Sequence, residues 1–143
     1  MAGFCQTLAE RDSLAGNAVI PASLNGTSNT GLVDMSRFNR VMFICATGTV
    51  NSNSATVLQQ GNNANGSDQT NITNAAAANV NGANATWTLE VASNQLTGRY
   101  VRCQIVNTLA SIGAVIPVAT MARYAPANAY DSAQVAQRFV SSP

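Results

Sequence analysis

From residue 83 to residue 92 the chain reads ANATWTLEVA, with Trp87, Leu89 and Val91 falling on one side and Thr86, Thr88 and Glu90 on the other. A two-residue alternation of this kind belongs to a half-buried β-strand. It is the cleanest periodic signal in the chain, and the neighbouring segments repeat its grammar. Residues 99–109 place Val101, Cys103 and Ile105 inward and Tyr100, Arg102 and Gln104 outward. Residues 40–46, RVMFICA, are apolar on both faces and predict a strand buried between layers or against a neighbour. Shorter strands are expected at 32–35 and 55–59. A closing strand is expected at 114–124, with Pro117 at an edge or bulge because it cannot donate to a ladder.

Turn chemistry separates these runs. Pro21, Asn25-Gly26 and Gly31 predict a loop between residues 21 and 31, and Ser111-Ile112-Gly113 predicts a turn between the last two strands. Residues 61–82 are polar and Asn-rich, and read as a long surface excursion with a short strand near 69–73. The four-Ala run at 75–78 is too short, and too closely flanked by Asn, for a stable helix. Asp131 to Val140 is compatible with two helical turns that need something to pack on. The fold expected is therefore all-β: an antiparallel β-sandwich, jelly-roll-like, with extended N- and C-terminal arms. Its parts are an arm and loop over 1–30, the sandwich over 31–126 and a C-terminal arm over 127–143.

Charge restricts function more than fold. The 143 residues hold seven Arg, six acids, no Lys and no His, so 9% are charged against roughly 25% in ordinary domains. A nucleophile activated by His, or a Lys base, has no residue to draw on. Asp34, Asp68 and Glu90 lie in three separate elements, a poor arrangement for a catalytic carboxylate pair. Glu90 is expected instead to pair across strands with Arg99 or Arg102. No cofactor or metal is expected. The scattered Arg residues and net charge of +1 give no footprint for nucleic acid. No apolar run approaches a membrane span, and no signal peptide is read. Cys45 and Cys103 are expected as buried reduced thiols, and Trp87 as a core plug.

A chain so short of charge stays soluble on neutral polar groups, of which 17 Asn are the largest class, or has its surface covered by partners. Phe4, Tyr130 and Phe139, with Arg11 and Arg138, sit in terminal segments that have little core of their own. They either anchor onto another surface or fold back on their own domain.

The order LVDMSRFNRVMFICATG, ATVLQQ, TWTLEV, LTGRYVRCQIV and IPVATMARYAP resembles the cement or decoration proteins of tailed bacteriophage capsids. The resemblance runs over residues 30–126 and rests on Asp34, Met35, Ser36, Phe38, Gly48, Gly98, Arg99, Tyr100, Val101 and Arg102. It implies a jelly-roll or related sandwich, no catalysis, and a structural role on the virion, outside the capsid. The partners it implies are the major capsid protein, whose neighbouring subunits the chain would bridge, and the chain itself as a dimer or trimer. It also implies assembly in the host cytoplasm. Rival expectations are a tail or other minor head structural protein, and a carbohydrate-binding β-sandwich with Trp87 or the Asn-rich loop as platform.

Overall fold

In the computed structural model the described residues are 12–14, 17–49, 54–80 and 84–122, with the side chains of 12–14, 77–80 and 121–122 left out. Among the described residues eight strands are formed: β1 (Asp12–Leu14), β2 (Val19–Asn29), β3 (Val33–Asp34), β4 (Phe38–Thr47), β5 (Ser54–Gly61), β6 (Thr70–Val80), β7 (Thr86–Ala92) and β8 (Tyr100–Ala122). The one helical element among the described residues is a 3₁₀ turn at Ser93–Gln95. All strand pairings are antiparallel. The all-β antiparallel architecture expected from the alternation is the one observed.

The organising element is β8, 23 residues long. Extended, it would reach about 75 Å. Asp34 pairs with Tyr100 at one end of β8, yet Phe38, four residues on, pairs with Ala122 at the other end. Four residues span at most ~14 Å, so β8 must fold back on itself. The bend lies at Thr108–Ala110. There Leu24 pairs with Ser111 and Gly26 with Asn107, so two steps along β2 face four along β8. The surplus residues form a bulge, the device by which one strand passes from one sheet layer to the next.

Every neighbour of β8 follows the bend. On one side β3, β2 and β1 succeed one another along it. On the other, β5 pairs with residues 100–107 and β4 with 113–122. β6 then flanks β5, and β7 flanks β4. Two half-sheets result, one containing β6, β5 and the start of β8, the other β7, β4 and its end. They face each other, and β6 touches β7 so that the sheet nearly closes.

The core is the space between. Val41, Phe43 and Cys45 of β4 meet Leu58 of β5 and Val101, Cys103 and Ile105 of β8 in one cluster, all at or near zero exposure. Trp87 crosses the gap, its indole N–H donating to Thr56 Oγ1 of β5 at 2.9 Å. Trp87, expected as a core plug, is partly buried and packs against the core cluster.

Several local expectations change. The 21–31 loop is mostly strand: β2 runs through Pro21, Asn25 and Gly26. Pro21 falls in a bulge between the Val19 and Ala22 pairings, and Gly26 (φ +81°) adjoins the register shift at Leu24/Gly26, so these residues accommodate irregularity instead of ending the strand. Ser111-Ile112-Gly113 is not a turn but the continuation of β8. Gly113 pairs with Ala22 of β2 on one side and Thr47 of β4 on the other. Pro117 is buried, in register with Phe43, and lies opposite the interruption between β1 and β2, not on a free edge. Within the 61–82 excursion the strand is longer than expected, covering 70–80. Residues 1–11 and 123–143, which carry most of the expected arms, lie outside the described residues.

Candidate interaction surface

The two half-sheets present different faces to solvent. On the outside of the first, Asn71, Gln59 and Arg102 occupy one cross-strand row over β6, β5 and β8. Arg102 Nε–H donates to Gln59 Oε1 at 2.8 Å, and Gln59 Nε2–H donates to Asn71 Oδ1 at 2.9 Å. On the next row Gln104 Nε2–H donates to Asn29 Oδ1 at 3.1 Å. These are cross-strand pairs built almost wholly from neutral amides, and they flank the half-buried outward side chains Val57 and Val106.

At the end where β3, β5 and β8 meet, the same chemistry holds the loops. Gln60 Oε1 accepts from the backbone N–H groups of Thr97 and Gly98 at 2.9 and 3.0 Å, and Asn62 Oδ1 accepts from Arg99 N–H at 3.2 Å. Asp68 accepts from the backbone N–H groups of Asn62 and Asn63, which holds its carboxyl below the ordinary carboxylate range. Asp34 is gripped by Arg99 through two bonds of 2.9 and 2.7 Å and accepts from Ser36 N–H. The Arg99 guanidinium, first among these causes, pulls the Asp34 carboxyl down to about 2. Glu90 does not meet Arg99 or Arg102; its partner is Arg40 of β4. The expected cross-strand ion pair exists with a different cation, because β7 flanks β4 and not β8.

The second half-sheet has no such ladder over its outside. Its outward positions on β8 are Ile112 (44% exposed), Ile116 (42%) and Val118, and on β4 they are Met42 and Ile44. Register sets Ile44 beside Ile116 and Met42 beside Val118, and the outward pair Ala46 and Ala114 lies between these and Ile112, so the outward positions form one apolar field. Ile20, 71% exposed, stands at the β2 bulge beside it. Thr86, Thr88, Glu90 and Arg40 form the polar border on the β7 side. Scattered single hydrophobes on a surface need no explanation, whereas a contiguous field with a polar rim marks an interaction site.

Phe4, Arg11, Tyr130, Arg138 and Phe139 all lie outside the described residues. The signal that could have found the field was the double-sided apolarity of RVMFICA. Its second face reads as an internal layer in the sequence, while the fold turns Met42 and Ile44 outward, where they are half-buried.

Two further expectations meet the structure here. Trp87 is partly buried with its N–H engaged by Thr56, which weakens it as a stacking platform for sugars. Cys45 and Cys103 are buried free thiols. Among protein-family models and curated proteins, no match to this chain was found.

Proposed function

We propose that this protein is a structural component of a virion, a cement protein that binds the outside of a phage capsid and bridges neighbouring major capsid subunits. The observation carrying this reading is the contrast between the two outer faces, one laced by cross-strand amide and Arg102 hydrogen bonds and the other an apolar field around Ile112 and Ile116. Burying such a field against a partner releases water from apolar surface, the main driving force of association. The shortage of charge agrees with a chain held among neighbours, where solubility as a free particle matters less. A protein that binds only the assembled shell stabilises it by mass action. No catalytic step belongs to this reading, and self-association to a dimer or trimer belongs to it as a second use of the same surface. The terminal residues Phe4, Arg11, Tyr130, Arg138 and Phe139 are proposed as further contacts with the shell or with a second copy.

The test is binding to assembled shells that lack the protein. The Ile112→Lys/Ile116→Lys double variant should keep its melting temperature and lose at least tenfold in shell occupancy. Deleting residues 127–143 separately reads the contribution of the C-terminal arm. If the wild-type chain does not sediment with shells, or the double variant binds as tightly as wild type, this assignment of the surface is wrong.

A further inference from the structure

Cys45 and Cys103 lie in opposite half-sheets, and three observations bring them together. Cys45 of β4 is in register with Trp87 of β7, and the Trp87 indole reaches across the core to the Thr56 hydroxyl of β5. Thr56 and Leu58 point inward from the same strand, and Leu58 is in register with Cys103 of β8. Both thiols have zero exposure and belong to the same core cluster. The triangle Trp87–Thr56–Leu58 therefore sets Cys45 opposite Cys103 across the middle of the sandwich. The two thiols influence each other's titration, as this placement requires: the neighbouring Cys103 favours the Cys45 thiolate, and Cys45 together with burial pushes the Cys103 thiol up, while each thiol donates to a backbone carbonyl of its own strand, Phe43 O and Gln104 O, at 3.9 Å.

We infer that Cys45 and Cys103 are a site for a cross-sheet disulfide, reduced here and closed when the folding chain meets a small-molecule disulfide. A bridge between facing sheets is a known staple of β-sandwiches. The chemistry is thiol–disulfide exchange. One cysteine, as thiolate, attacks a disulfide such as oxidised glutathione, forming a mixed disulfide and expelling one glutathione thiolate. The second cysteine thiolate then displaces the other glutathione. Two protons leave the cysteines, one S–S bond forms in the protein, and the small disulfide is reduced to two thiols. Because both sulfurs are sealed in the core, exchange proceeds during folding or after unfolding and not on the closed sandwich. Cys45 and Cys103 enclose a long loop that holds β5, β6 and β7, so the bond constrains the unfolded chain strongly.

The experiment uses the full chain carrying Cys5→Ser, so that two thiols remain. It is unfolded, then refolded either in a glutathione/oxidised-glutathione buffer or under full reduction, and each product is alkylated in denaturant. The expected result after oxidative refolding is no alkylation, peptides containing residues 45 and 103 joined until reduced, and Trp87 fluorescence matching the reduced fold. The melting temperature should rise by about 5 °C or more over the reduced form. A further Cys45→Ala substitution should abolish that difference. Two alkylated thiols, bonds between separate chains, or an oxidised product with altered Trp87 fluorescence would each overturn the inference.

Discussion

Gly98 shows how much of this fold depends on single atoms. A Cβ at Gly98 would sit 2.8 Å from the backbone nitrogen of Gly61 and 2.9 Å from its oxygen, and backbone cannot swing aside as a side-chain tip can. Its own N–H is held by Gln60. Gly98→Ala should therefore cost about 2–3 kcal/mol, read as a lower urea midpoint with an unchanged slope. Asp34, bonded to the next residue Arg99, carries a pH dependence. Its carboxyl titrates near 2 in the fold against an ordinary value of 3.8, with the Arg99 bond as the main cause. The stabilisation is full above about pH 4 and is lost as pH falls through 2, since the unfolded chain takes up the proton first. Arg99 is half exposed, so solvent screening limits the effect to about 1 kcal/mol. Chemical denaturation of wild type and Asp34→Asn between pH 5 and 2 should show the two converging as the pH drops. A third residue-scale test lies at Asn107, where the buried Oδ1 accepts from Ser54 Oγ at 2.6 Å while Nδ2 has no hydrogen-bond partner in the structure. Ser54→Ala and Asn107→Val should each destabilise by 1 kcal/mol or more, roughly, and the double variant should be more stable than either single one. Additive losses would show that the two side chains do not act as a pair.

At the scale of elements, the bend in β8 decides the architecture, and it was the least legible feature of the sequence. Alternation in residues 100–107 and again in 111–119 is plain, and both stretches place their odd-numbered residues inward. What a pattern cannot say is whether the chain between them turns back as a hairpin or bends as one strand. Ser111, Ile112 and Gly113 resemble a turn in composition, but all three continue β8, paired with Leu24, Ser23 and Ala22 of β2. The same ambiguity hid β2, whose Pro21 and Gly26 sit at bulges inside an edge strand. Local composition reports the need for irregular backbone without naming the partner that imposes it. By contrast, Trp87, Leu89 and Val91 were legible because their periodicity is itself the physical cause of their burial. The ion pair of Glu90 was legible as a need and not as a partner, since Arg40 and Arg99 differ only in strand order. The bend gives a deletion test. Removing Ala110 alone shifts one half of β8 by one residue and drives Cys103 and Ile105 outward, so the variant should not fold. Removing Leu109 and Ala110 together preserves the inward set and should fold with a lowered melting temperature by circular dichroism. Equal losses from the two deletions would mean that register across the bend is not fixed by the core.

For the whole molecule, the distribution of charge sets how any partner must be held. Thirteen charged residues in 143 leave a net charge of +1, and the two described ion pairs are internal. A partner docking on the field around Ile112 and Ile116 would meet apolar side chains first, with Arg40 and Glu90 already paired at the border. Long-range attraction between opposite charges weakens as salt shortens the Debye length from about 10 Å at 0.1 M to about 3 Å at 1 M. Apolar association does not weaken in this way, and sulfate strengthens it by exclusion from protein surface. Binding to shells, or to a second copy, should therefore change less than about threefold between low and high sodium chloride and should tighten in ammonium sulfate. Sedimentation of a fixed protein concentration across both salt series makes the measurement. A partner released by tenfold or more in sodium chloride would instead be held by charge, and the apolar field would lose its place as the docking surface even if the protein proved to be a shell component. That separation matters because the asymmetry of the two faces and the identity of the partner rest on different observations. The first follows from which outward positions carry Ile and Met and which carry Asn and Gln, and it would stand whatever the chain assembles with.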